Sequence, residues 1–234
     1  MNHSSPLTPH PSSKIPVIAI DGPSASGKGT VAALVAKELG FHYLDSGAIY
    51  RVTALAALRA GISLDDETAL AQLAGQLDVQ FDNGEIWLGG DKVGDDVRSE
   101  ASGNAASRIA ALPRLRQALL EFQRSFRTAP GLVADGRDMG SVVFPDATLK
   151  IFLTASAEVR AERRYKQLIE KGMHANLSQI LQDLQQRDAR DSARSVAPLQ
   201  KFADAHLLET SSINIAEAVS EVLGHYRECI RQAS

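Results

Sequence analysis

The sequence contains a single cysteine, Cys229, among 234 residues. One thiol cannot form a disulfide within the chain, which excludes a disulfide-stapled fold and indicates a reducing compartment. No apolar run reaches the length of about 18 residues that a membrane span requires. The first fourteen residues also lack the apolar core of a secretory signal. These absences predict a cytoplasmic protein without a membrane partner.

An excess of basic residues is also missing. Lysine and arginine number 25 against 28 aspartates and glutamates, giving a formal net charge of -3. A general nucleic-acid binder is usually markedly basic, so nucleic acid is not expected as a partner. The Ser-, Pro- and His-rich residues 1–14 predict a disordered tail, and residues 15–234 have the length of one domain with an insert.

Short apolar runs alternate with helical patterns along the chain. This alternation predicts an α/β fold, in which a parallel sheet is flanked by helices. The predicted strands are Val17–Ile20, His42–Leu44, Leu132–Ala134, Thr148–Leu153 and His206–Leu208. Helices are predicted after Gly29, where Gly40 ends the first, and at Ala48–Ala60, Asp66–Leu77, Pro113–Arg127, Ala157–Lys171, Leu177–Arg190 and Ile215–Cys229.

One segment, residues 77–108, interrupts the alternation. It begins with two period-2 runs around Asp82-Asn83-Gly84, a typical hairpin turn. Three further glycines and a possible short strand near Lys92–Val93 come next. The segment is predicted to be an antiparallel patch that forms a small inserted subdomain.

The stretch DGPSASGKGT, residues 21–30, follows the first strand and begins a helix. It nearly matches the phosphate-binding pattern G-x-x-x-x-G-K-[ST], but Gly29 replaces the hydroxyl residue, and Thr30 comes one position later. Glycines let backbone N–H groups surround a phosphate, and the helix N-terminus adds positive potential. The residues predicted to bind nucleotide phosphates are Gly22, Pro23, Ser24, Ala25, Ser26, Gly27, Lys28, Gly29 and Thr30.

Two further motifs follow strands, where ligands of open α/β sheets bind. In DSGAIYR, Ser46 is predicted to cap a helix that carries Tyr50 and Arg51 toward a phosphate. In ADGRDMG, Asp135 is placed to hold a Mg²⁺ shell and Arg137 to meet a phosphate. The structural alternative for DSGAIYR is a helix cap followed by a surface arginine. For ADGRDMG it is a salt bridge between Arg137 and Asp138, although adjacent side chains rarely face each other.

In the motif RDARDSAR, residues 187–194, the residues Arg187, Arg190, Asp191 and Arg194 follow one another at spacings of 3, 1 and 3. Such spacing puts the four side chains on one helical face. Alone, this pattern is typical of a solvated face with ion pairs. Together with a phosphate loop, it predicts a lid over residues 172–195 that brings guanidinium groups to phosphates and excludes water.

Taken together, DGPSASGKGT, LDSGAIYR, NAAS with RLR, ADGRDMGSVVFPDA, KIFLTAS and RDARDSAR resemble the bacterial cytidylate kinases, which are nucleoside monophosphate kinases. The resemblance runs from Ile15 to the C-terminal helix. It implies an adenylate-kinase-like P-loop fold with five parallel strands, a lid and an enlarged monophosphate-binding insert. It also implies phosphoryl transfer from ATP to CMP or dCMP with Mg²⁺, carried out by a monomer.

The resemblance also implies roles for individual residues. Lys28, Arg137, Arg187 and Arg194 would be catalytic, and Asp135 would hold Mg²⁺ through water, while a metal contact of Thr30 stays open. Arg163 and Arg164 would add contacts to ATP from the lid side. The residues implied to bind CMP are Ser46, Tyr50, Arg51, Ser107, Arg116, Arg137, Asp138, Arg187, Asp191 and Arg194. Among these, Ser107, Arg116 and Asp138 would read the base.

Other classes of nucleotide-binding protein fit less well. A regulatory GTPase should carry N-K-x-D, and no asparagine in this sequence is followed by lysine. A motor or transporter ATPase would be larger, and a binding module has no use for so many phosphate-directed arginines. Another small-molecule kinase of the same fold, acting on AMP, UMP or shikimate, remains the alternative.

Overall fold

The computed structural model describes residues 15–82 and 84–233. The predicted tail, residues 1–14, and Asn83 of the predicted hairpin turn lie outside the described residues. The strands are β1 (Val17–Asp21), β2 (His42–Asp45), β3 (Val79–Asp82), β4 (Glu85–Leu88), β5 (Asp91–Lys92), β6 (Leu132–Gly136), β7 (Leu149–Thr154) and β8 (His206–Glu209).

The helices follow the pattern that the sequence predicts, with two additions in the insert. They are α1 (Lys28–Leu39), α2 (Ser46–Arg59), α3 (Glu67–Ala74), α4 (Gly94–Arg98), α5 (Glu100–Ile109), α6 (Pro113–Arg124), α7 (Ala157–Glu170), α8 (Leu177–Ser192) and α9 (Ile215–Ala233). Gly40 ends α1 in the left-handed conformation at φ 65°, which glycine adopts without strain. Within the described residues, no helix combines the length and apolar character needed to cross a bilayer.

The centre of the fold is a five-stranded parallel sheet in the order β2-β6-β1-β7-β8. All five predicted strands are present, so the predicted α/β class is confirmed. Both central strands, β1 and β6, are buried along their whole length, as expected for a sheet covered on both faces.

Helices on the two faces of the sheet enclose separate apolar cores. Successive residues of β1 point to opposite faces, so Val17 and Ala19 join one core and Ile18 and Ile20 the other. The first core is completed by side chains of α2, α5 and α6, and the second by those of α1 and α9. The sheet therefore holds the carboxyl ends of its strands at one common edge.

The prediction that residues 77–108 form an antiparallel patch is correct only for the first half. β3, β4 and β5 form a small antiparallel sheet, in which Phe81 lies opposite Ile86. The second half is helical instead, as α4 and α5. Ala105 and Ile109 of α5 belong to the first core, and α5 packs against α2. This part of the insert therefore buries its apolar side chains as a helix and does not extend the small sheet.

Candidate active site

A cavity of about 950 Å³ opens at the carboxyl ends of β1, β2 and β6. It contains Asp135 and all ten residues predicted to bind CMP: Ser46, Tyr50, Arg51, Ser107, Arg116, Arg137, Asp138, Arg187, Asp191 and Arg194. Of the predicted phosphate loop, residues 24–30 line the cavity, whereas Gly22 and Pro23 do not. Residues from six separate segments thus meet in one space of the size that ligand sites commonly have.

The loop between β1 and α1 depends on unusual backbone geometry. A Cβ on Gly22 would lie 1.9 Å from the carbonyl oxygen of Leu153, so only glycine fits there. Gly27, at the N-cap of α1, has φ 93°. Ala25 has φ 57°, a left-handed conformation that costs a non-glycine residue about 1–2 kcal/mol. Surrounding contacts must hold Ala25 in place, and such strain is typical of ligand-binding loops.

Lys28 is the first residue of α1, and its Nζ donates to the carbonyl of Pro23 at 3.3 Å. Burial and the nearby Arg137 lower its pKa to about 8, against the opposing effects of Asp135 and Asp45. An ammonium group held beside another cation gains from any anion that enters the loop. The site therefore favours a phosphate next to Lys28.

The structure gives a physical reason for glycine at position 29. A Cβ there would lie 3.1 Å from the Asp135 carboxylate and 3.5 Å from the Tyr43 hydroxyl. A serine at this position, as in the usual pattern, would crowd Asp135 and force its carboxylate to shift by a few tenths of an ångström. Thr30 is exposed at the margin of the cavity, one position further along the helix.

The predicted cap of α2 is wrong by one residue. Asp45, not Ser46, is the N-cap, and its Oδ1 accepts from the backbone N–H of Ala48 at 2.9 Å. Ser46 is the first helical residue and is buried in the cavity wall. Its Oγ lies 2.6 Å from the place of a Cβ on Gly136, so glycine is required for β6 to end so close to α2.

The adjacent Arg137 and Asp138 have different partners, as the sequence reading expects for neighbouring side chains. Arg137 donates from Nε to Asp191 Oδ2 at 2.9 Å and from Nη2 to Ser24 Oγ at 2.8 Å. Asp138 forms a buried ion pair with Arg116 on α6. The Arg137 guanidinium therefore joins the phosphate loop to α8, and the Arg116–Asp138 pair forms part of the cavity wall.

Asp191 is a second point where segments join. Its carboxylate pairs with Arg194, and accepts from Ser107 Oγ at 3.2 Å. Nearby arginines lower its pKa although burial opposes them. The prediction of one shared helical face needs correction, because α8 ends at Ser192 and Arg194 lies beyond it.

Arg187 lacks a close counter-charge. The nearest carboxylate oxygen, on Glu100, is 3.9 Å from its Nη1, and its buried Nε has no hydrogen-bond partner among the described residues. Burial, Arg137 and Arg51 lower its pKa to about 10. A buried guanidinium among other guanidinium groups is costly unless an anion neutralises it. This arrangement is the clearest electrostatic sign of an anion site.

Arg163 and Arg164, which the resemblance implies to contact ATP, both line the cavity. Arg163 donates to the Ser26 carbonyl and to Thr210 Oγ1, each at 3.1 Å, and Arg164 pairs with Glu100 of α5. The sequence analysis missed Glu100 and Gly103 of α5, and also the segment that contains Thr210, Ile213, Asn214 and Ile215. This segment comes after β8 at the same edge of the sheet, and that position was the available signal.

Asp21, at the end of β1, is a buried acid that the sequence reading also missed. Its two carboxylate oxygens accept from the backbone N–H groups of Met139 and Gly140 at 2.8 and 2.9 Å. These residues begin a short π-helix, Met139–Val143, that the sequence did not predict. Burial raises the pKa of Asp21 to about 6 despite these hydrogen bonds. Asp21 thereby anchors the turn that presents Asp138.

The raised pKa of Asp21 predicts how the stability of the protein changes with pH. Because Asp21 keeps its proton up to pH 6 in the native state and only up to about 3.9 when unfolded, its contribution to stability should fall as pH rises between these values. We expect the unfolding free energy of wild type relative to Asp21→Asn to decrease by roughly 2 kcal/mol across this window. Urea denaturation at several pH values measures it, and a difference that is constant or rises with pH would contradict the assignment.

Comparison with known proteins gives a consistent result. The family model for cytidylate kinase matches residues 18–228. A cytidylate kinase of Chromobacterium violaceum is 62% identical over 220 residues, covering 94% of this chain and 98% of that protein. One of Bordetella bronchiseptica is 61% identical over 212 residues, covering 91% and 95%, and one of Nitrosomonas europaea is 57% identical over 214 residues, covering 92% and 96%. This chain therefore belongs to the cytidylate kinase family.

Proposed function

We propose that this protein transfers the γ-phosphoryl group of ATP to CMP or dCMP, giving ADP and CDP or dCDP. The observation that carries the proposal is a single cavity with two cationic regions. One is the phosphate loop with Lys28, and the other is formed by Arg51, Arg137, Arg187 and Arg194. Two adjacent phosphate sites fit a donor and an acceptor nucleotide placed end to end.

The donor is proposed to lie on the phosphate loop. Backbone N–H groups of residues 24–30 and Lys28 would hold the phosphates of ATP. Its nucleoside would extend toward Arg163 and the segment after β8, because the cavity continues there between Thr210 and Ile215. The hydrogen bonds of Arg163 to Ser26 and Thr210 fix its guanidinium beside this region.

The acceptor is proposed to bind in the second region. Ser46, Tyr50, Arg51, Arg137 and Arg194 would surround its phosphate and sugar, and Arg187 and Asp191 would approach the ribose. Arg187 would also reach the transferring phosphate, since its guanidinium is buried beside Arg137 and Arg51 and its nearest carboxylate oxygen is 3.9 Å away. Residues 77–108 and 172–195 are accordingly proposed as the monophosphate-binding insert and the lid.

The cytosine base is proposed to meet Ser107 and the Arg116–Asp138 pair. A carboxylate can accept from the N4 amino group of cytosine, and a guanidinium can donate to the ring acceptors. Uracil carries an acceptor and a donor in the opposite places, which would leave buried groups unpaired at about 1–3 kcal/mol each. The pair therefore selects CMP over UMP.

We expect Asp138→Asn to lower the ratio of kcat/KM for CMP to that for UMP by at least about tenfold, because the amide can donate to uracil. The exposed Asp78→Asn substitution outside the cavity is the matched control. Thermal melts of both variants check folding, since breaking a buried pair is destabilising. An unchanged ratio in folded Asp138→Asn protein would show that the pair does not read the base.

Mg²⁺ fits the donor end of the cavity. Asp135 is buried there, and among the described residues no group of three His, Cys, Asp or Glu side chains could hold a metal. Such a setting suits Mg²⁺ held mainly by water and phosphate oxygens, with Asp135 binding through water and Thr30 at the margin. When bound, the ion would neutralise charge on the nucleotide phosphates.

The protein's own part in the reaction is proposed to be alignment and charge neutralisation. The attacking group would be a phosphate oxygen of CMP, which is ionised at neutral pH because its second pKa is about 6. No general base is then needed, and none of the described residues that line the cavity is a histidine. Lys28, Arg137 and Arg187 would hold the reacting groups in line and lower the cost of the charge that develops.

A coupled assay with ATP tests the proposal directly. The acceptors are CMP, dCMP, UMP, AMP and shikimate at equal concentrations, with Mg²⁺ present. We expect kcat/KM to be highest for CMP or dCMP. Faster turnover of AMP or shikimate would overturn the assignment in favour of another kinase of the same fold.

A further inference from the structure

Arg160 on α7 is a buried arginine that does not line the cavity. Its Nε donates to the carbonyl of Ala155 at 3.0 Å, and its Nη1 donates to the carbonyl of Ser24 in the phosphate loop at 3.0 Å. Nη2 forms an ion pair with Asp188 of α8 at 2.6 Å. All three nitrogens have partners: Nε is held locally at the start of α7, while Nη1 and Nη2 join α7 to the phosphate loop and to α8.

Ser24 is held at two atoms by two arginines. Arg160 binds its carbonyl oxygen and Arg137 its hydroxyl. The same two arginines pair with Asp188 and Asp191, which lie three residues apart on α8. α8, the helix of the proposed lid, is therefore connected to the phosphate loop twice, once through Arg160 and once through Arg137.

The bridge through Arg160 acts on the strained part of the loop. The peptide between Ser24 and Ala25 is trans, so its carbonyl and its N–H point in opposite directions. When Arg160 holds that carbonyl, the N–H of Ala25 is fixed too. Ala25 has φ 57°, a conformation that persists only when its surroundings impose it.

The Arg160–Asp188 pair is not arranged for stability alone. Asp188 uses Oδ2 for the ion pair, while its buried Oδ1 has no hydrogen-bond partner within the part of the chain that the structure describes. Neither residue is among those lining the cavity, so neither reaches a substrate. The pair instead fixes the position of α8 relative to the phosphate loop.

We propose that Arg160 and Asp188 are positioning residues that couple the two nucleotide sites, so that CMP raises the affinity for ATP. The inference rests on the proposed function. The phosphate of CMP binds Arg187 and Arg194, which line the cavity, and so holds α8 in this position. CMP thereby keeps Asp188 paired with Arg160, and Arg160 holds the Ser24–Ala25 peptide in the conformation that binds the phosphates of ATP.

Calorimetric binding of a non-hydrolysable ATP analogue, with Mg²⁺ and with or without saturating CMP, tests the coupling. The coupling factor is the Kd without CMP divided by the Kd with CMP. We expect at least about fivefold in wild type, and the analogue should strengthen CMP binding by the same factor. Asp188→Ala should reduce the factor to below about twofold, with Asp188→Asn in between.

The exposed Gln186→Ala on the same helix is the matched control and should keep the wild-type factor. The Kd for CMP alone reports that a variant is folded, and if Asp188→Ala does not fold, Asp188→Asn carries the test. A variant that binds CMP normally and keeps the full factor overturns the proposal, as does a wild-type factor of one. Failure of wild type to bind CMP at all would instead refute the proposed function.

Discussion

Replacing Lys28 with methionine is expected to lower kcat by about 10²–10³-fold without unfolding the protein. The ammonium group lies in the phosphate loop, and its pKa of about 8 keeps it mostly charged at neutral pH. In the proposed reaction it neutralises charge that moves between two phosphates, an interaction that strengthens in the transition state. Methionine keeps the length of the stem and removes only the charge.

Lys37→Met is the matched control, because Lys37 lies on the same helix and is exposed. Steady-state kinetics with ATP and CMP should show wild-type kcat for this control. A Lys28→Met enzyme with unchanged kcat and a raised KM for ATP would mean that Lys28 binds ATP equally in the ground state and the transition state.

Replacing Arg187 with methionine is expected to lower activity but to raise thermal stability. Arg187→Met should lower kcat by about 10- to 100-fold, the value of a charge-assisted hydrogen bond. It should also raise the midpoint of thermal unfolding of the ligand-free protein by about 2–4 °C. The reason is that Arg187 is buried among other cations, with Glu100 as far as 3.9 Å away. Only a bound phosphate compensates that cost, and stability is exchanged for function here.

Arg190→Met provides the comparison for Arg187→Met. Arg190 is on the same helix but does not line the cavity, so its loss should leave kcat within about twofold. Differential scanning fluorimetry with and without CMP completes the test, because CMP should stabilise wild type more than Arg187→Met. Lower thermal stability of ligand-free Arg187→Met would show that the guanidinium is already satisfied by the protein.

Several local features could be predicted from the sequence because their signals are short-range. The apolar runs mark all five strands of the central sheet. Since parallel strands end at one edge, the polar motifs after β1, β2 and β6 had to meet there. The spacing of Arg187, Asp191 and Arg194 indicated that they act together, although Arg194 lies beyond the end of α8. The helical half of the insert was missed, because α4 has only five residues and the side chains that α5 buries are small apart from Ile109.

Other features could not be read from the sequence. Glycine is favoured at position 29 because a Cβ there would lie 3.1 Å from the Asp135 carboxylate. The partners of Arg137 and Asp138 follow from the positions of α8 and α6. Arg160 belongs to no motif that would mark it in the sequence. Its contact with Ser24 joins residues 136 positions apart.

The sequence by itself therefore determined the fold class, the phosphate loop and part of the set of residues around the cavity. Periodicity and turn chemistry act over a few residues, and the ends of parallel strands bring the loops attached to them together at one edge. Only the tertiary structure decided which charge faces which, what strain Ala25 bears and which arginines lack a partner. These features depend on how helices that are far apart in the chain pack against the sheet. Burial then strengthens each charge pair, because the interior screens charges less than water does.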